Sequence, residues 1–181
     1  MTNTLIPVVC ALTALIAVVA LTPLAAQLAR RVGAVSEPAA RHIHSRPTPL
    51  LGGLAILCGF LLPTIYYLPI FDTPAKGLIV GATLVSLLGA VDDVVDLNPA
   101  IKLAGQIGCA VIPVASGLTI DHITLPLLGV GELGAAQYPI TVLWFVALCN
   151  MINFIDGMDG LAAGVAGIGL TTFAILAASL D

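Results

Sequence analysis

"GLIVGATLVSLLGAVDDVVDLNPAIKLAGQ", Gly77 to Gln106, runs apolar up to Val91, meets three aspartates, and resumes as an apolar run behind Asn-Pro. A helix needs about 20 apolar residues to cross a bilayer. The run from Gly77 to Val91 is shorter than that, so the ends of its helix should reach into polar sequence. Asn98 followed by Pro99 reads as an N-cap with proline at the first helical position. The next helix therefore starts beside Asp92, Asp93 and Asp96. The stretch predicts two apolar helices joined at a carboxylate-bearing turn.

The rest of the chain has the same texture. Of 181 residues, 59% are hydrophobic and only 9% charged, with mean hydropathy +1.11. Soluble domains carry roughly 25% charged residues, so the chain reads as an all-α integral membrane protein. Candidate transmembrane segments lie at about 4–28, 51–70, 77–91, 100–120, 139–151 and 161–180, six in all, within one multi-span domain covering residues 1–181. Pro7, Pro23 and Pro63 are tolerable inside spans. The N-terminus has no basic region ahead of its apolar stretch, as a retained first span would. A net charge of −4 argues against nucleic acid as a partner. Cys10, Cys58, Cys109 and Cys149 sit in apolar runs without CxxC spacing and read as small apolar residues.

Four of the six basic residues, Arg30, Arg31, Arg41 and Arg46, precede the second segment. By the positive-inside rule that loop is cytoplasmic and the N-terminus outside. Counting spans from there returns "VDDVVDLNPAIK" (91–102) and "NMINFIDGMDGL" (150–161) to the cytoplasmic face. Lys76 is the basic residue on the opposite side. The outward stretch "LTIDHITLPLLGVGELG" (118–134) alternates enough to predict a short extracytoplasmic hairpin.

Three polar groups thus meet on one face. Adjacent Asp92 and Asp93 repel unless a cation or proton offsets them; magnesium, held by one or two carboxylates plus substrate phosphates, suits such a pair. The bland alternative is a solvated helix end. Asn150, Asn153, Asp156 and Asp159 recur at helical spacing, and their oxygens can hydrogen-bond a nucleoside or ligate a hard cation. A plain glycine turn would need no asparagines. Arg41, His44 and Arg46, ahead of Pro-Thr-Pro and Gly52-Gly53, suit phosphate, although positive-inside bias alone also explains arginines. Lys102 serves equally as a snorkelling anchor or a phosphate partner.

Taken in order, "EPAARHIHSRPTPLLGG" (37–53), "VDDVVDLNPAIKLAGQ" (91–106) and "NMINFIDGMDGLAAG" (150–164) resemble the polyprenyl-phosphate N-acetylhexosamine-1-phosphate transferases. The resemblance implies transfer of an N-acetylhexosamine 1-phosphate, GlcNAc-1-phosphate first among them, from a UDP-sugar to polyprenyl phosphate at the inner membrane. UMP is released and a lipid-linked cell-envelope glycan is begun. "NFIDGMDG" is nearer the branch that primes O-antigen and teichoic-acid polymers than the peptidoglycan-precursor (phospho-MurNAc-pentapeptide) translocase, which usually has threonine where Ile155 stands.

It further implies Asp92 and Asp93 as catalytic residues, with acceptor steering, metal holding and proton acceptance all open to them. Asn150, Asn153, Asp156 and Asp159 become donor contacts, Arg41, His44, Arg46 and Lys102 phosphate contacts, and Asn153 a ligand for Mg2+, with Mn2+ able to replace it. The partners implied are UDP-N-acetylhexosamine, polyprenyl phosphate and membrane lipid, and a homodimer is one assembly open to it. Departures are Ser36-Glu37-Pro38 where the family commonly has Asp-x-Pro, and His42 and Leu50 at positions that are often basic. The family's later Gly-Asp-x-Gly-Ser element and its His- and Arg-bearing final loop have no counterpart in these 181 residues. They therefore resemble the N-terminal half of a ten- or eleven-span enzyme and are expected to be inactive alone. A catalytically dead scaffold and a transporter are the competing classes; a transporter would favour charges at mid-membrane.

Overall fold

A computed structural model describes residues 5–36, 48–67, 72–125, 129–156 and 160–180. Six α-helices carry the fold: α1 (Leu5–Val32), α2 (Gly52–Tyr67), α3 (Thr73–Val95), α4 (Pro99–Ala115), α5 (Gln137–Ile155) and α6 (Leu161–Leu180). Two antiparallel ladders accompany them. β1 (Val35–Ser36) pairs with β2 (Thr48–Pro49), and β3 (His122–Leu125) pairs with β4 (Gly129–Glu132). The second ladder is the hairpin expected from the alternating stretch. The first, with its register Val35 to Pro49, left no sequence signal because each strand has two residues.

Among the described residues, three helical segments are long and apolar enough to cross a membrane: Leu5–Val32, Thr73–Val95 and Gly134–Ile155. Shorter apolar helices cover Gly52–Tyr67, Pro99–Ala115 and Leu161–Ala177. Large apolar side chains point outward along them, among them Ile16, Ile65, Leu143, Ile168 and Phe173. That pattern suits a protein whose solvent is hydrocarbon. Hydroxyls inside the helices turn back on their own backbone, as Thr83 does on the Ile79 carbonyl at 2.8 Å.

Small residues set the packing, as expected where lipid removes the drive to bury large apolar groups. Gly59 on α2 lies against Val18 and the Ala14 carbonyl of α1. Gly77 and Gly81 on α3 face Ser116 and Pro113 at the far end of the α3–α4 hairpin, and Gly105 on α4 takes the side chain of Leu88. A small core of Ala29, Ala34 and Leu51, with Leu54 and Ala90 against it, joins the end of α1, the start of α2 and the last turns of α3. At the other end, Thr141 of α5 accepts from the Ile120 amide at 2.8 Å and donates to the Gln137 carbonyl at 2.7 Å.

The short third and fifth apolar runs do extend into polar sequence: α3 continues to Val95 and α5 to Ile155, so Asp92, Asp93, Asn150 and Asn153 are helical. One boundary differs from the expectation. α4 stops at Ala115, well before Ile120, where Gly117 adopts φ +99° and the Leu118 amide bonds back to the Pro113 carbonyl at 3.0 Å.

Candidate active site

The end of α3 is built around Asp92. Asp96 caps the helix in the left-handed region at φ 54°, a conformation aspartate tolerates better than most residues, and its amide bonds the Asp92 carbonyl at 2.9 Å. That reversal brings the Leu97 amide to Asp92 Oδ1 at 3.2 Å. Asn98 then starts α4 as the sequence predicts, its Oδ1 accepting from the Ala100 amide at 2.9 Å. One turn later Lys102 Nζ reaches Asp92 Oδ2 at 2.7 Å.

Both oxygens of Asp92 are therefore engaged in closing the α3–α4 turn. The side chains of the pair are 26% and 18% exposed, Lys102 first. This changes the reading of both residues. The charge that offsets Asp92 is Lys102, and Lys102 carries a carboxylate partner rather than an unspent charge for phosphate. Asp93 lies beside this pair, repelled by Asp92 and attracted by Lys102.

α4 also reaches α5. Gln106, one turn beyond Lys102 and only 7% exposed, accepts from Asn150 Nδ2 at 2.7 Å. Asn150 Nδ2 donates as well to the Val146 carbonyl of its own helix at 2.8 Å. Residues four apart share a helix face, so one face of α4 holds Asp92 on one side and Asn150 on the other. The aspartate and asparagine motifs, 58 positions apart in sequence, are thereby brought to the same end of the bundle. The core around Ala29, Leu51 and Ala90 brings the β1–β2 ladder to that end too.

Asn153 is exposed in the last turn of α5, and Asp156 is the exposed residue that ends the helix, its amide bonding the Ile152 carbonyl at 3.1 Å. Asp159, Arg41, His44 and Arg46 lie outside the described residues. Among the described residues no three His, Cys, Asp or Glu side chains converge as a metal cage. The oxygens of Asp93 and Asn153 are nevertheless of the kind magnesium takes, in the small number it takes when phosphates complete its shell. The cysteines are unpaired thiols.

Gln106 is the residue that the sequence reading missed. Its signal was available: a long amide in the middle of an apolar helix is buried only where it has a partner.

The sequence profile of glycosyl transferase family 4 matches residues 75–181, more than half of the chain. The chain belongs to that family. It is 39% identical to a probable undecaprenyl-phosphate N-acetylglucosaminyl 1-phosphate transferase of Bacillus subtilis, over 95% of this chain and 48% of that protein. A decaprenyl-phosphate N-acetylglucosaminephosphotransferase of Mycobacterium leprae is 35% identical over 85% of this chain and 42% of its own length. A phospho-N-acetylmuramoyl-pentapeptide-transferase of Symbiobacterium thermophilum is 30% identical over 92% and 56% respectively. The chain thus spans about half the length of the curated relatives it matches. No solved structure matches it significantly. Family membership bears out the resemblance carried by the three motifs.

Proposed function

We propose that the protein serves in the transfer of N-acetylglucosamine 1-phosphate from UDP-N-acetylglucosamine to polyprenyl phosphate, at the cytoplasmic face of the inner membrane. The observation that carries this reading is the convergence of two polar motifs at one end of the bundle. There the ion-paired Asp92, the adjacent Asp93 and the amide ladder Gln106–Asn150 meet on three neighbouring helices. The names of the B. subtilis and M. leprae relatives support the acceptor and the sugar.

The chemistry joins a phosphate oxygen of the lipid to the sugar-bearing phosphorus and breaks that phosphorus's bond to the bridging oxygen, which departs with UMP. A lipid monophosphate has its second pKa near ~6 and is largely a dianion at neutral pH. No strong base is then needed, and the work is positioning and charge neutralisation. Asp93, next to a carboxylate whose charge is already offset, takes the acceptor's remaining proton or turns its oxygens to the cation. Asn150, Asn153, Asp156 and Asp159 bind the donor. Arg41, His44 and Arg46 receive phosphate, and Lys102 sets the field around the aspartates. Asn153 and Asp93 would hold Mg2+ or Mn2+, which when bound supplies positive charge to the diphosphate.

The test is made on membranes containing the protein in a form that carries the later half its relatives have, since residues 1–181 alone are expected to be inactive, with labelled UDP-N-acetylglucosamine, undecaprenyl phosphate and magnesium. Label should pass to the lipid with release of one UMP per sugar. Release of UDP, which means transfer of the sugar without its phosphate, overturns the reading, as does the absence of any lipid product.

A further inference from the structure

Gln106 and Asn150 form a pair whose hydrogen-bond directions can be fixed by elimination. Asn150 Nδ2 lies 2.8 Å from the Val146 carbonyl oxygen. A backbone carbonyl can only accept, so the group facing it must be the amide NH2 and not the amide oxygen. The second hydrogen of that NH2 points to Gln106 at 2.7 Å, so Gln106 must present its oxygen there. Both donors of the Asn150 amide are thereby used within the bundle. What remains is Oδ1, a pure acceptor, on a residue that is exposed at the polar end.

Val146 alone could not hold this arrangement. One bond to a carbonyl of the preceding turn leaves the amide free to swing about its last torsion, which is broad and weakly restrained. The Gln106 oxygen supplies the second point. Gln106 itself is 7% exposed on an α4 face whose preceding turn is tied to α3 through Lys102 and Asp92.

We propose that Gln106 is a positioning residue that locks the Asn150 amide with its oxygen toward the ligand, so that Asn150 recognises a hydrogen-bond donor, an N–H or O–H, on the nucleotide sugar. The inference rests on the transferase reading above and deepens it. An amide free to turn could offer a nitrogen to a phosphate or an oxygen to an N–H. The locked one offers only oxygen, and it repels any phosphate oxygen that approaches.

The experiment uses that same full-length form and steady-state transfer, varying each substrate separately. Gln106→Met keeps length and bulk but removes the acceptor. It should raise KM for UDP-N-acetylglucosamine about tenfold, the scale of one lost hydrogen bond. kcat and KM for undecaprenyl phosphate should stay within about twofold. In an Asn150→Ala background the same substitution should change nothing further, because the residue it positions is gone. Gln106→Glu retains an acceptor oxygen and should keep a donor KM within about threefold of the unsubstituted protein, which guards against a Met variant that fails to assemble. An unchanged donor KM in Gln106→Met, an effect shared equally by both substrates, an effect that persists without Asn150, or a Glu variant as impaired as Met overturns the proposal. Failure of the unsubstituted protein to transfer at all is a different outcome, and it removes the transferase reading and this inference with it.

Discussion

Removing the lysine from the Asp92–Lys102 pair should cost more than removing both charges. At 2.7 Å the gross attraction is about 6 kcal/mol for an effective dielectric constant of ~20. Desolvation cancels most of it. With exposures of 26% and 18%, the pair lies between surface bridges, worth about 0–1 kcal/mol, and buried ones, whose breakage costs about 3–5 kcal/mol. Lys102→Met leaves a mostly covered carboxylate beside Asp93, and about 2–3 kcal/mol should be lost. For a chain of this size that is a fall in Tm of about 5–10 °C. Asp92→Asn combined with Lys102→Met removes both charges while an amide oxygen can still accept from the Leu97 amide, so more than half of the loss should be recovered. Melting of the detergent-solubilised protein, followed by resistance to heat-induced aggregation, measures both variants. A Lys102→Met protein that melts within about 1 °C of the unsubstituted one, or losses that simply add in the double variant, would refute the assignment of Lys102 as the counter-charge of Asp92.

Three further outcomes follow from the site and the packing. Asp93→Asn and Asp156→Asn should each lower turnover at least about a hundredfold with melting unchanged, whereas Asp92→Asn should lower turnover and melting together; transfer assays beside melting curves separate the two. Gly81→Leu should lose about 1–3 kcal/mol in the same melting assay, because a Cβ there sits 2.9 Å from Pro113 Cδ and 3.1 Å from the Cys109 carbonyl oxygen. Gly164→Leu, with no atom within 4 Å of its Cβ, should be neutral by comparison. Ser45→Cys and Met158→Cys, in a protein whose four native cysteines are replaced, should resist an impermeant thiol reagent in intact cells and react after permeabilisation.

Much of the architecture was legible because membrane helices announce themselves by composition. Asn98 and Pro99 marked the start of α4, and the alternating residues after Leu118 marked the hairpin. Hydropathy stops a helix where charge begins, so span length showed that the third and fifth helices run on into polar sequence but not how far. The backbone continues through Asp92 and Asp93 until Asp96 turns left-handed, and through Asn150 and Asn153 to Ile155. The motifs of the site were visible as outliers in an apolar chain, but their partners were not. Nothing in the spacing of ten residues between Asp92 and Lys102, or of forty-four between Gln106 and Asn150, indicates contact. Those pairings come from how α4 sits between its neighbours, and the glycines that set this fit have no side chains to reveal it.

The two-residue ladder between Val35–Ser36 and Thr48–Pro49 has an effect out of proportion to its size. Pairing Ser36 with Thr48 fixes the two ends of the segment carrying Arg41, His44 and Arg46 side by side, so the helices no longer register how much chain lies between them. Once ends are held together, doubling the length of a loop adds only about 0.6 kcal/mol of closure entropy. A change of length between 37 and 47 would therefore cost the packing of α1 and α2 little, so the spacing of Arg41, His44 and Arg46 answers to the phosphate they are proposed to meet rather than to the membrane fold.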